Sequence, residues 1–155
     1  MQSITTQTAH ESLNSSGNVA YELLWQRSFL EIFYSKEWNF LKAIWMGQLS
    51  KADIIEGAEA ILTHAKQFNS TKLVNDVSRV EGLFTDAVEW IVTDFSPRLN
   101  AIGVTHVAWI YSENSESRFS ADAVVSHSIT DTITFIFDNL SSAERWILAS
   151  IQKSV

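Results

Sequence analysis

Three polar side chains, those of Asp76, Ser78 and Arg79, lie within four positions of one another. They fall at and just after the apolar run at 73–77, which predicts a short strand. In open α/β sheets ligands bind beyond the carboxyl ends of parallel strands, and helix N-termini attract anions. We therefore take these residues, in a loop predicted at 76–82, as candidate ligand- or partner-binding residues. The commoner use of such residues is local, with Asp76 or Ser78 capping a turn and Arg79 in solvent.

Patterns typical of catalysis and metal binding are not found in the chain. The serines lie outside any G-x-S-x-G elbow, and the five glycines form no phosphate-binding loop. The four histidines are dispersed, without H-E-x-x-H or a similar ligand spacing. Cysteine is absent, which excludes thiolate nucleophiles, disulfides and cysteine-based metal sites. We predict no catalytic residue, no metal and no cofactor, and therefore a protein that is not an enzyme.

Aromatic residues are numerous, with six Trp, nine Phe and three Tyr. Most are expected in the core, because aromatic side chains supply large buried areas. Trp90 differs, because it lies off the helical stripe made by Phe84, Val88, Ile91 and Phe95. It is a fourth candidate binding residue, at an apolar edge that covers a sheet margin, lines a pocket or forms a dimer contact.

The composition predicts one soluble globular domain. Hydrophobic residues make up 46% of the 155 residues and charged residues 19%. The net charge of −7, with 11 Lys and Arg against 18 Asp and Glu, disfavours binding to nucleic acid. No apolar run approaches the roughly 20 residues of a membrane-spanning helix, and no signal peptide is recognised. We expect a cytoplasmic protein, with a flexible arm at 1–18 and a single domain at 19–155.

The hydrophobic periodicity predicts six strands and four helices. The strands are expected at 21–25, 29–34, 38–46, 73–77, 104–111 and 133–137. The helices are expected after Ser50, from about Gly82 to Gly103, at 120–127 and after Ser141, with Pro97 bending the second. Ser50 with Asp53, and Ser141 with Glu144, read as capping boxes. This order predicts a mixed sheet, with an antiparallel N-terminal hairpin and a mostly parallel remainder.

Three segments resemble a known family. The run FDNLSSAERWIL at 137–148 is similar to the closing signature of bacterial SpoIIAA-like (STAS/SEC14-type) proteins. The segment Ser96-Pro97-Arg98-Leu99, with Gly103 and Ala108, looks like the second helix of that family entering its central strand. Asp76-Val77-Ser78 lies where the same family places an acidic residue at the end of a strand. The resemblance covers about residues 20–150 and implies an α/β domain of the SpoIIAA-like fold.

The resemblance implies a fold more than a function, and one motif of the family differs here. STAS domains carry an Asp-Ser-Ser-Gly motif whose serine is phosphorylated to switch binding to a partner kinase. Here Ser78 is followed by Arg79-Val80-Glu81-Gly82, so we predict that this phosphoswitch is absent.

The sequence does not identify a ligand or a process, but it favours one class of function. We expect a non-catalytic protein-interaction or regulatory module in the bacterial cytoplasm, bound to another protein or to a second copy as a homodimer. The alternative is a carrier of a small apolar ligand in an aromatic-lined pocket. An exposed Trp90 on a flat surface would favour interaction, and a closed cavity of about 300 Å³ or more would favour the carrier.

Overall fold

A six-stranded sheet forms the centre of the structure, a computed structural model that describes residues 19–153. The arm predicted at 1–18 lies outside the described residues. In chain order the strands are β1 (Glu22–Arg27), β2 (Leu30–Ser35), β3 (Phe40–Gln48), β4 (Lys72–Glu81), β5 (His106–Ile110) and β6 (Ile133–Phe137). Sheet order equals chain order, so β1 and β6 are the two edges.

The direction of the strands changes once across the sheet. β1, β2 and β3 pair antiparallel, whereas β3, β4, β5 and β6 pair parallel. This confirms the predicted mixed α/β sheet with an antiparallel N-terminal hairpin. The parallel part requires long crossovers, and helices supply them.

Four helices connect or follow the parallel strands. They are α1 (Lys51–Phe68), α2, α3 (Ser115–His127) and α4 (Leu140–Lys153). Helix α2 is a continuous run of four segments: a 3₁₀ turn Thr85–Ala87, an α turn Val88–Trp90, a π segment Ile91–Phe95 and an α segment Ser96–Ala101. The predicted order of strands and helices is therefore confirmed.

The sheet buries one hydrophobic cluster on each face. On β3 the side chains of Leu41, Ala43 and Trp45 belong to the cluster under α1, α2 and α3, which we call the three-helix face. The alternating side chains of Phe40 and Ile44 belong to the cluster under α4, the single-helix face. Because β3 is buried on both sides, it is nearly uninterrupted by polar residues, as expected for a central strand.

Helix α1 begins as predicted and approaches the sheet closely. Ser50 Oγ accepts from the Asp53 backbone N–H at 3.0 Å, and Asp53 Oδ2 accepts from Ser50 N–H at 3.1 Å. Gly57 is buried where α1 crosses the sheet, and a Cβ there would lie 2.6 Å from both Leu30 Cδ2 and Trp45 Cη2. Glycine thus permits a helix–sheet distance that any larger residue would widen.

Gly57→Ala is accordingly expected to lower the free energy of unfolding by about 1–3 kcal/mol, the usual range for overpacking. In an exposed helix the same change would stabilise by about 1 kcal/mol. Urea unfolding of the variant measures the sign, and Thr63→Ala on the exposed side of α1 is the control, expected within about 0.5 kcal/mol of wild type. A stabilised Gly57→Ala would show that α1 does not pack this tightly.

Two helix starts differ from prediction because of asparagine caps. Asn114 Oδ1 accepts from Ser117 N–H at 3.0 Å, so α3 begins at Ser115 instead of 120. Asn139 Oδ1 accepts from Ser142 N–H at 2.8 Å, which places the α4 cap before Ser141. The predicted Ser141–Glu144 capping box is therefore wrong, and Glu144 faces the sheet.

Candidate functional site

The predicted loop at 76–82 is the second half of strand β4. Ile44 of β3 pairs with Asp76 and Met46 pairs with Arg79, so β4 carries one extra residue between these pairs. Pairing then continues to Gln48 and Glu81. The strand prediction stopped early because the polar residues of this bulge resemble a turn in sequence.

The three polar candidates of this segment separate in the structure. Asp76 is buried, and its Oδ1 accepts from Ser78 N–H at 2.9 Å across the bulge, which is the local role anticipated for it. Ser78 and Arg79 are exposed and line a surface depression of about 390 Å³ at the carboxyl ends of the parallel strands. Asp76 is not part of its wall.

The depression is polar and carries more acidic than basic groups. Its wall holds the carboxylates of Glu81, Glu113 and Asp138 against the single guanidinium of Arg79. This balance disfavours an anionic ligand, although the N-terminus of α3 is near. Its other polar groups stabilise the loop: Ser112 Oγ donates to Val80 O at 3.0 Å, and Asn114 caps α3.

Trp90 lies on the three-helix face, apart from the depression. It is half-buried against the core cluster, and its ring stacks on Phe95 with centroids 6.3 Å apart and planes 10° from parallel. The structure thus brings together Ser78 and Arg79 but leaves Asp76 and Trp90 outside their site.

A cavity of about 230 Å³, partly open to solvent, lies on the three-helix face. Strands β4, β5 and β6, helices α2 and α3, and the turn before β6 form its walls, which contain no charged residue. They are Leu73, Asn75, Ile91, Phe95, Ser96, Leu99, Val107, Trp109, Val124, Val125, Ser128, Thr130, Thr132 and Thr134. The cavity is aromatic-lined through Phe95 and Trp109, and it is smaller than the 300 Å³ named above.

A buried polar cluster on the single-helix face was missed by sequence reasoning. Tyr21 Oη donates to Glu144 Oε2 at 2.6 Å, and both residues are buried. Lys42, from the middle of β3, is also buried, with Nζ 4.4 Å from the Tyr21 ring centroid and 4.9 Å from that of Phe33. In the sequence this cluster is indicated by Lys42, a single lysine inside the apolar run of β3.

Burial and neighbouring charges shift the pKa values of Lys42 and Tyr21 in this cluster. Burial lowers the pKa of Lys42 to about 7, and Arg79 adds to this, while the charges of Glu144, Asp76 and Glu31 oppose it. Burial, and then the charge and hydrogen bond of Glu144, raise the pKa of the Tyr21 hydroxyl well above 10. None of Tyr21, Lys42 and Glu144 lines the depression or the cavity, so the cluster joins α4 to the sheet.

The edge strand β6 exposes an apolar surface. Ile133 is 48% exposed, Phe135 53% and Ile136 45%. Phe135 and Phe137 contact Trp146 of α4, with ring centroids 5.0 and 5.7 Å apart, so they lie on the single-helix face. Ile136 points to the opposite face, since side chains alternate along a strand. We call Ile133, Phe135 and Ile136 the β6 surface.

Comparison with known proteins gives similarities of structure alone. No family model matches the sequence, and no curated protein matches it. The anti-sigma factor antagonist SpoIIAA in its unphosphorylated form is similar at 10% identity and a TM-score of 0.46, over 86% of this chain and 98% of that one. An uncharacterized DUF3478-family protein with a SpoIIAA-like fold, from Shewanella loihica PV-4, is similar at 17% identity and a TM-score of 0.43, over 84% and 94%.

Two further observations concern metal binding and membrane-spanning helices. Within residues 19–153, no three His, Asp or Glu side chains are grouped so that they could hold a metal ion. In the same part of the chain, no helix has the length and apolar character needed to cross a membrane.

Proposed function

We propose that this protein is a non-catalytic interaction module of the bacterial cytoplasm that self-associates through strand β6. The observation that carries the proposal is the unprotected apolar edge of the sheet at β6. The acidic composition of the chain argues against nucleic acid as the partner. A regulatory role follows if self-association competes with binding to another protein.

The two edges of the sheet differ in protection against pairing. β1 carries charged Glu22 and Arg27 and a register shift between Leu23 and Trp25, features that discourage edge-to-edge association. Its Arg27 is also occupied in an ion pair with Glu56 at 3.1 Å. β6 has no charge, no proline and a regular register against β5. An exposed strand of this kind offers its free backbone groups to another strand.

A second copy of β6 is a well-matched occupant. In an antiparallel pair related by a two-fold axis through Phe135, Phe135 faces its own copy and Ile133 faces Phe137. The acidic Asp138 then faces Thr132, so no carboxylate opposes another across the pair. Isologous contacts of this kind are the commonest route to homodimers. The Phe135–Trp146 contact places further aromatic surface beside the axis.

Sedimentation velocity across a concentration series tests the proposal. We expect wild type to dimerise and Ile136→Lys to raise the dissociation constant roughly 100-fold, about 2.7 kcal/mol, because each dimer would contain two lysines at the interface. Phe119→Lys is the matched control, since Phe119 is 64% exposed on α3 and should leave dimerisation unchanged. A wild-type protein that stays monomeric up to the end of a 100-fold concentration series would contradict self-association through β6. Equal weakening of the dimer by both variants would also contradict it.

A second candidate function, the carrier of a small ligand, rests on the lining of the cavity on the three-helix face, which is smaller and more open than the closed cavity of 300 Å³ expected for a carrier. Its wall is partly apolar and partly hydroxyl, and Phe95 and Trp109 supply the aromatic lining. This candidate is compatible with the first, because the cavity and the β6 surface involve different side chains.

A further inference from the structure

We infer that the cavity on the three-helix face binds a small, uncharged molecule with an apolar body and a hydrogen-bond acceptor. Part of its wall is apolar, from Leu73, Ile91, Leu99, Val107 and Val124. The rest carries amide and hydroxyl groups. This inference rests on the second candidate function and does not depend on self-association.

The acceptor requirement comes from Asn75, which is 7% exposed in the wall of the cavity. Its Oδ1 accepts from Trp45 Nε1 at 2.8 Å. An indole N–H only donates, so the atom facing it must be the amide oxygen, and the orientation of the amide follows. The Nδ2 donors have no hydrogen-bond partner in the described structure. A buried amide whose oxygen is anchored and whose N–H groups lack partners is prepared to donate to a ligand.

Hydroxyl groups of the wall supply further polar contacts. Ser96 and Thr134 make no side-chain hydrogen bond within the described chain, whereas Ser128 Oγ donates to Val124 O at 2.8 Å and Thr132 Oγ1 donates to Val104 O or Asn100 Oδ1. The free hydroxyls therefore come from α2 and β6. No cation or carboxylate lines the cavity, so a charged ligand would lose its hydration without a compensating partner.

The volume sets the size of the ligand. An apolar cavity of about 150 Å³ is enough for benzene. At about 230 Å³ this cavity suits a substituted single ring or a comparable short chain, with roughly ten non-hydrogen atoms. An adjoining apolar void of about 40 Å³ shares Asn75, Ile91, Phe95 and Trp109 with it.

The backbone of α2 is irregular at the same place. Ile91 and Phe95, which line both voids, are the first and last residues of the π segment. Single π segments within α-helices are frequent at functional sites. Here Pro97 follows closely, and a proline removes one backbone donor from the helix.

Nuclear magnetic resonance titration with benzamide, a neutral probe with nine non-hydrogen atoms, tests the site. We expect saturable shifts of the Asn75 Nδ2 and Trp109 Nε1 signals, with a dissociation constant of roughly 1 mM, typical for a ligand of this size. Benzoate has the same size and shape but is charged, and it should bind at least tenfold more weakly.

Two variants assign the binding to the cavity. Ser96→Phe fills the wall at a half-buried position of α2 and should abolish the benzamide shifts, whereas Thr93→Phe, exposed on the same helix, should retain them. Equal binding of benzamide and benzoate by wild type, or benzamide shifts located away from Asn75, would overturn the inference. The wild-type comparison holds even if Ser96→Phe does not fold. Because the readout is local shifts, the result is independent of whether the protein dimerises.

Discussion

Replacing Glu144 by alanine is expected to lower the free energy of unfolding by about 3–5 kcal/mol, the cost of removing one partner from a buried charged cluster. Glu144 accepts the hydrogen bond of the buried Tyr21 hydroxyl at 2.6 Å, and its charge favours the protonated form of Lys42. Alanine would leave the Tyr21 hydroxyl buried without its acceptor and would remove the negative charge near the Lys42 amine. Since α4 is the helix that covers the single-helix face, its docking should weaken first.

Urea unfolding of Glu144→Ala and of two comparison variants measures this effect. Glu144→Gln retains an oxygen for Tyr21 but loses the charge, so it should be destabilised by less than the alanine variant. Arg145→Ala changes the exposed neighbour, which contacts Ser141 and Ser142, and should stay within about 1 kcal/mol of wild type. If Glu144→Ala were as stable as Arg145→Ala, the cluster would not hold α4.

The stability of the protein is also expected to rise with pH between about 7 and 10, because of Lys42. Its pKa is about 7 in the folded protein and about 10.4 in an unfolded chain. Between pH 7 and 10 the unfolded state binds a proton that the folded state does not bind, so the folded state loses stability as pH falls through this range. The loss is about 3 kcal/mol, and little changes below pH 7, where both states bind the proton.

Other groups near Lys42 modify this dependence in known directions. The charged side chains facing it from neighbouring strands and from α4 are Glu31, Asp76, Arg79 and Glu144. The raised pKa of Tyr21 acts in the opposite sense above pH 10, because the unfolded tyrosine ionises first. Below pH 10, Tyr21 therefore does not oppose the contribution of Lys42.

Comparison with Lys42→Met tests the prediction, because methionine has a similar length and no charge. The variant should lose most of the rise in unfolding free energy between pH 7 and 10, whereas Lys66→Met, exposed on α1, should keep it. Burial also lowers the pKa of Lys72, so a small rise should remain in the Lys42 variant. Parallel curves for wild type and Lys42→Met would contradict the assignment.

Local patterns in the sequence determined the elements of the fold. The change from alternating to helical periodicity predicted the order of strands and helices, and Ile133–Phe137 matches the predicted last strand. The capping box at Ser50 and Asp53 was readable because its two hydrogen bonds join residues three positions apart. Such features depend on neighbouring residues, and these are present in the sequence.

The sites depend on residues that only folding brings together. Tyr21 and Glu144 are 123 positions apart, so nothing in the sequence around Glu144 distinguished a buried acceptor from a helix cap. Lysine is a residue type that is usually exposed, and the burial of Lys42 depends on α4 covering the single-helix face of the sheet. The depression at Ser78 and Arg79 and the cavity beside Asn75 each draw their walls from several separate elements. Periodicity shows which face of an element is apolar, but the partner that each polar side chain meets is decided by tertiary packing.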